Sequence, residues 1–393
     1  MSVSGSGVGT GPAPARLAAF ASDLYHCADC SYCVDAVWAE RGIDHVCPTI
    51  SHHQPVPSYS GRGYIAAARA WYEGAALDLD VLADRVFTCT GCGNCEQVCP
   101  IGLRPSQVGQ ALREELAERG HAPASVAALR ATMRACGNPY GKPPSGRGAW
   151  ANGHAFARQD ATVLYAPGCA AAYGDPAETR AVVALLEAAG EKVAWRGDDD
   201  RCCGAPLREL GLHDDARRAE QRLAADLPAA RVVTSGLECR PIWRGVPGVQ
   251  AMGFPEWLLG ALESGRLRVR PRDYQRVSAF DGCANRRPGT VGRPDPLRAV
   301  LARIGVDSAT DDLGAATAVC CGAAGGMPAM APASATRMAE ARLAQTPTDV
   351  PVVCADPRCL AHLARAAGEG GVRLLGLAEF IHLHCEVEGI AHE

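Results

Sequence analysis

The sequence predicts an α-helical N-terminal domain followed by a duplicated α/β half arranged as two lobes. Three observations carry that prediction. Apolar residues recur at helical spacing in RGYIAAARAWYEG and LDVLADRVF, which lie between two groups of cysteines. The second half repeats one order of strand-like runs, helical runs and cysteines, with a period of about 120 residues. A Gly- and Pro-rich stretch without apolar periodicity, GNPYGKPPSGRGAWANGH from Gly137 to His154, separates the halves.

Length and composition bound the rest. A chain of 393 residues has room for two or three domains, and 48% hydrophobic with 21% charged residues is ordinary for a soluble globular protein. A net charge of −4 leaves no basic footprint for nucleic acid or an anionic membrane. No apolar run reaches the ~18 residues of a membrane span. The opening MSVSGSGVGTGPAPA has neither a basic nor an apolar region, so it reads as a disordered leader over 1–18 and not as a secretory signal. Nineteen cysteines is the unusual number. A long, unexported chain with an odd cysteine count is no disulfide scaffold; in a reducing cytoplasm these thiols are open to metal.

The N-terminal domain, placed at 19–136, carries the strongest motif. Cys89, Cys92, Cys95 and Cys99-Pro100 form CTGCGNCEQVCP, the run in which three thiolates wrap one iron–sulfur cluster and the fourth serves a second cluster. Gly91 and Gly93 supply the positive φ such wrapping needs. Structural zinc is the weaker reading, because zinc sites show two separated C-x-x-C pairs. An upstream copy has Cys27, Cys30 and Cys33 in CADCSYC and then Cys47-Pro48, with a thirteen-residue insert, VDAVWAERGIDHV, where three residues are usual. By the crossed rule of the motif, Cys27, Cys30, Cys33 and Cys99 hold one [4Fe-4S] cluster, and Cys89, Cys92, Cys95 and Cys47 hold another. The insert makes Cys47 the least regular member.

After a linker at 137–160, the duplication occupies 161–265 and 266–393. ATVLYAPGC ends at Cys169 and RVSAFDGC at Cys283. Helical runs PAETRAVVALLEAAG and DPLRAVLARIG follow, then the triplets Cys202-Cys203-Gly204 and Cys320-Cys321-Gly322. Buried-strand runs ARVVTSGLEC and VPVVCADPRC end at Cys239 and Cys359, and the tails MGFPEWLLGAL and LLGLAEFIHL match. In an α/β fold such strand ends and the loops after them build the site. Neighbouring cysteines sit about 3.8 Å apart at Cα, below the disulfide range of about 4.4–6.8 Å, so a vicinal bond is strained. Two adjacent thiolates repel unless a cation relieves them, and the following glycine lets backbone approach a bulky cluster.

With these patterns in hand, the chain resembles the iron–sulfur subunits related to heterodisulfide reductase, a group that includes those of glycolate oxidase, anaerobic glycerol-3-phosphate dehydrogenase and lactate-utilisation complexes. The resemblance covers nearly all of residues 20–385. It implies an α-helical two-cluster ferredoxin-type domain followed by a duplicated α/β CCG domain, with one or two further iron–sulfur clusters in the CCG repeats. It also implies an electron-transfer subunit of an oxidoreductase, relaying between a flavoprotein partner that oxidises a small substrate such as a 2-hydroxy acid and a quinone or other carrier. Any membrane contact is then peripheral, through a partner at the inner face of the cytoplasmic membrane. Members that cleave disulfides use five cysteines per repeat, in the order Cys, Cys-Cys-Gly, C-x-x-C. Carried over, the first repeat offers Cys169, Cys202, Cys203 and Cys239, with Gly236 at the lost position. The second offers Cys283, Cys320, Cys321 and Cys359, with Asp356 at that position and Cys354 two residues earlier as a substitute donor. The incomplete sets favour a relay; the alternative is a catalytic disulfide reductase acting at a CCG cluster, and a redox sensor is a third reading.

Several residues carry no assignment. Cys136 reads as a plain thiol. Cys385, with His382 and His384, reads as surface, as do His52 and His53 and the run Asp198–Asp199–Asp200. No Gly-rich nucleotide fingerprint is present, so neither nucleotide nor flavin is expected in this chain.

Overall fold

A computed structural model of the chain describes residues 14–35, 43–225, 227–285, 295–309, 319–368 and 371–390. Most of the leader and the centre of the Cys33–Cys47 insert lie outside the described residues. The chain divides into two compact units: Met1–Ala131 with Pro206–Asp214 and Gly322–Met338, and Thr132–Ala205 with Asp215–Cys321 and Ala339–Glu393.

The first unit is helical where the periodicity predicts it, with helices Gly61–Tyr72, Leu79–Phe87 and Pro105–Glu118. Asp78 starts the second of these by accepting from the amides of Asp80 and Val81 at 3.1 Å. Their apolar stripes meet in one core containing Tyr64, Trp71, Leu82, Phe87, Leu112 and Leu116. Leu210, from one of the two later segments, is buried in the same core. Arg113, only 3% exposed, ties these pieces together. Its guanidinium donates to the carbonyls of Val86 (2.9 Å), Glu209 (2.7 Å), Gly325 (3.2 Å) and Cys89. The segments that follow both vicinal cysteine pairs thus fold against the Cys89 loop, an arrangement no local pattern announces.

The second unit contains two four-stranded parallel sheets. Strands β1 (Val163–Ala166), β2 (Val193–Ala194), β3 (Arg231–Thr234) and β4 (Gln250–Gly253) form the first, in the order β2-β1-β3-β4. After β5 (Val269–Pro271), strands β6 (Arg276–Phe280), β7 (Asp307–Ala309), β8 (Val352–Cys354) and β9 (Leu374–Gly376) form the second, in the order β7-β6-β8-β9. The orders are the same, and so are the registers: Leu164 pairs with Val232 as Ser278 pairs with Val352. Helices on these sheets leave the central strands no solvent face, which is why they read as unbroken apolar runs. The matching tails are each a strand leading into a helix, β4 with Phe254–Glu263 and β9 with Leu377–His384. Glu178, on helix Pro176–Ala188 of the first repeat, accepts from the amides of Ala378 (3.0 Å) and Glu379 (2.6 Å) at the start of the last helix.

Three expectations need correction. The Gly/Pro-rich stretch expected as a linker is packed: 3-10 turns over Pro144–Ala151 bury Trp150, whose ring meets Tyr165, Trp195 and Phe156 edge-on. A single tryptophan amid glycines carries no periodicity for sequence reasoning to detect. Cys385 is not at the surface; it lies fully buried in β10 (Cys385–Val387), antiparallel to β5, while His384 is mostly buried against Asp273 at 2.7 Å. Asp198 and Asp199 are exposed as expected, but Asp200 is buried in an ion pair with Arg147.

Candidate functional site

The two cysteine loops of the first unit share one backbone. Gly91 and Gly93 take φ of 64° and 79° between their cysteines, and Asp29 and Ser31 take 53° and 64° at the same places in the upstream loop. Non-glycine residues resist this left-handed region, so something must hold them there. Arg62 does: its guanidinium grips the Asp29 carboxylate with two nitrogens, one at 2.7 Å, and reaches Ser31 Oγ at 2.5 Å. Arg62 escaped sequence reasoning because its partners lie some thirty residues away in sequence.

Cys27, Cys30, Cys33 and Cys99 line a single cavity of about 360 Å³, with Arg62 and Ile101 also on its wall. The structure therefore brings the upstream triplet together with the last cysteine of the downstream motif. Cys47 stands with the other three: burial pushes its thiol up to about 12, and negative charge on Cys89 and Cys92 pushes the same way. Burial likewise raises Cys95, with Cys92, Cys89 and Cys47 adding to it. Two amides already point at sulfur, Gly91 N–H at Cys89 Sγ and Leu103 N–H at Cys99 Sγ, both at 3.3 Å. Four thiols that oppose one another's ionisation in a buried place suit a polynuclear cation, which removes that repulsion. Among the described residues, no three His, Cys, Asp or Glu side chains are placed to hold a single metal ion. Thiols around a cavity, not around a point, fit a cluster better than zinc.

In each CCG repeat the sheet order reverses direction between its two central strands, the position where parallel α/β folds open a crevice. Cys169 follows β1 and Cys239 follows β3, on either side of that point; Cys283 follows β6 and Cys359 follows β8. Cys169 and Cys359 lie in the first turns of helices Gly168–Gly174 and Pro357–Ala367, not in loops. All nine CCG cysteines, Cys354 included, are buried. Cys203 and Cys239 sulfurs are 2.9 Å apart, and hydrogen bonding with Cys202 together with burial raises the Cys169 thiol. In the second repeat, hydrogen bonding with Cys321 and burial raise Cys359. The Cys354 thiol donates to the Asp356 backbone carbonyl at 3.3 Å.

The lost fifth cysteine differs between the repeats. At Gly236 a Cβ would stand 2.9 Å from Cys239 Sγ and 3.4 Å from Gly168 Cα, so the first site has no room for a side chain there. In the second repeat Asp356 is 1% exposed; Oδ1 accepts from the Arg358 amide at 2.9 Å, while Oδ2 has no hydrogen-bond partner. Burial raises this carboxyl, and the Arg358 charge opposes the rise. The glycine of each triplet has a role other than clearing space for a cluster. Gly204 and Gly322 take φ of 87° and 86°, and a Cβ there would meet Ala219 Cβ at 2.7 Å or Ala335 O at 2.9 Å, so each admits the helix that follows.

Arg147 also escaped sequence reasoning, since it sits in the supposed linker. It is 5% exposed and donates to Cys169 Sγ at 3.2 Å and to Asp200 Oδ2 at 2.8 Å. The remaining residues are less telling. Cys136 is half-buried, His53 Nδ1 meets Ser334 Oγ at 3.0 Å, and the His52 carbonyl accepts from Arg337. Burial lowers both histidines.

Comparison with known proteins agrees with this geometry. Residues 23–103 match the 4Fe-4S dicluster domain, and residues 163–240 and 277–364 each match the cysteine-rich domain called CCG. An iron–sulfur relative, one of the subunits of the dihydromethanophenazine:CoB–CoM heterodisulfide reductase of Methanosarcina barkeri, is 26% identical over 305 residues, covering 72% of this chain and 74% of that protein. A protein named as a membrane-anchored ferredoxin in Chromohalobacter salexigens is 26% identical over 84% of this chain and 52% of its own length. The EtfAB:quinone oxidoreductase of Syntrophomonas wolfei is 24% identical over 48% of this chain and 31% of its own. No helix among the described residues is long and apolar enough to cross a membrane. The chain is therefore an iron–sulfur protein that joins a 4Fe-4S dicluster domain to two CCG cysteine-rich domains, homologous to the heterodisulfide reductase component and to the membrane-anchored ferredoxin.

Proposed function

We propose that this chain relays electrons between a flavoprotein that oxidises a small substrate, such as a 2-hydroxy acid, and a quinone or other carrier. The observation that carries the reading is the cavity shared by Cys27, Cys30, Cys33 and Cys99. It pairs with the companion set Cys47, Cys89, Cys92 and Cys95, so two [4Fe-4S] clusters lie side by side in one helical domain. Thiolate ligands, amide hydrogen bonds to sulfur and burial set the potentials of such clusters. The CCG cysteines, four in the first repeat and four with Cys354 or Asp356 in the second, take one or two further clusters. The name of the Syntrophomonas relative, with its flavoprotein and quinone, supports this pair of partners. The chain then works in the cytoplasm, reaching the membrane's inner face only through a partner.

The test is iron and acid-labile sulfide per chain after anaerobic purification, with low-temperature EPR on the same sample. Nearer sixteen iron atoms, at about four per cluster, supports a relay through all three modules. About eight confines the clusters to the helical domain and removes the CCG repeats from the path. Recovery of the protein from its host without any flavoprotein would sink the partnership.

Disulfide reduction is the second reading, favoured by the heterodisulfide reductase relatives and by Cys354 beside Asp356 in the second repeat. If it holds, Cys354→Ser abolishes disulfide turnover; unchanged turnover rejects it.

A further inference from the structure

The guanidinium of Arg147 is held on every side. Its Nε meets Asp200 Oδ2 at 2.8 Å, its Nη2 meets the Arg201 carbonyl at 3.3 Å, and its plane lies over the Tyr173 ring with 5.8 Å to the centroid. The one nitrogen left, Nη1, points at Cys169 Sγ from 3.2 Å. Arg147 and Asp200 are 5% and 4% exposed. An ion pair this deep is costly to desolvate and adds little stability over an apolar pair of similar volume. Yet it joins two cysteine-bearing elements. Tyr173 shares the helix of Cys169, and Asp200 and Arg201 lead directly into Cys202 and Cys203.

We propose that Arg147 is the positioning and tuning residue of the first CCG site: it fixes Cys169 relative to Cys202 and Cys203 and raises the reduction potential of the cluster bound there. The physical reason is charge. Taking up one electron makes a thiolate-bound cluster more negative, and a fixed cation hydrogen-bonded to one of its sulfurs stabilises that reduced form more than the oxidised form. Asp200 sets the aim of the guanidinium, so it acts through Arg147. The inference rests on the proposed function, in which the first repeat holds a cluster.

The experiment is a dithionite titration of the anaerobically purified full-length protein, followed by EPR, for wild type, Arg147→Gln, Arg147→Lys, Asp200→Asn and Cys203→Ser. The signal and iron that disappear in Cys203→Ser identify the first CCG cluster. Arg147→Gln should keep full iron and thermal stability near wild type, while the reduced-to-oxidised ratio of that cluster falls about tenfold at a given solution potential. For a one-electron couple this is a shift of about −59 mV. Arg147→Lys, which keeps charge but not the forked geometry, should shift less, and the helical-domain clusters should not move. An unchanged potential at full iron content overturns the proposal. Should Arg147→Gln lose iron or fail to fold, Asp200→Asn and Arg147→Lys decide: a lowered potential supports the proposal and an unaltered one overturns it. If Cys203→Ser removes neither iron nor signal from the wild-type pattern, the underlying reading of a first-repeat cluster fails instead.

Discussion

Asp29 and Gly91 occupy the same place in two cysteine loops and share a left-handed backbone, at φ of 53° and 64°. One loop meets that requirement with glycine; the other meets it with Arg62, which clasps the side chains of Asp29 and Ser31. Removing the clasp should therefore expose the strain. Arg62→Ala should destabilise the upstream loop by about 1–2 kcal/mol and speed iron loss to a chelator from the cluster at Cys27. Adding Asp29→Gly to Arg62→Ala should restore part of the retention, because glycine accepts the conformation without help. Chelator-loss kinetics that the second substitution leaves unchanged would reject this account.

The crossed arrangement makes a second prediction. Cys99 belongs to the downstream motif but lines the cavity of Cys27, Cys30 and Cys33. Cys99→Ser and Cys30→Ser should thus perturb the same EPR signal, and Cys47→Ser should perturb the other one together with Cys92→Ser. If Cys99→Ser instead changes the signal that Cys92→Ser removes, the clusters are not crossed.

The two CCG repeats should respond differently to restoring the fifth cysteine. Gly236→Cys places a Cβ 2.9 Å from Cys239 Sγ, forcing that thiol away from Cys203. Iron per chain should fall and stability drop by about 1–3 kcal/mol. Asp356→Cys exchanges one buried side chain for another where space exists, and iron should be kept. Iron analysis and urea unfolding of both variants check this; a gain of iron in Gly236→Cys would refute it.

Glu178 gives the second unit a pH dependence. Burial pushes its carboxyl from 4.5 up to about 8, although the amides of Glu379 and Ala378 oppose the rise. A carboxyl whose pKa is higher in the folded state holds its proton more tightly there. Its contribution is therefore complete below about 4.5 and is lost as pH rises through about 8. Unfolding free energy of the second unit should fall by on the order of a few kcal/mol across that window. Glu178→Gln, which cannot ionise, should flatten this slope. Denaturant melts at several pH values compare the two proteins, and parallel slopes would refute the assignment.

Much of this was legible in the chain because it is local. Cysteine spacing marked the loops, apolar runs marked the central strands, and the roughly 120-residue period marked two sheets with the same strand order. What was missed shares one cause. Trp150, Arg147 and Asp200 sit in a Gly/Pro-rich or charged stretch that gives no periodicity, and each takes its meaning from partners tens of residues away. Cys385 was placed at the surface because three residues of strand β10 are too few to show alternation.

By itself, then, the sequence determined the kinds of donor and their grouping into loops, since a cluster loop is set by residues three apart and a buried parallel strand by its apolar run. Only the tertiary structure decided which thiols share a cavity, which position has room for a side chain, and which cation faces a sulfur. Those are distances between residues far apart in sequence. They follow from the packing of whole elements against one another, and no window along the chain contains them.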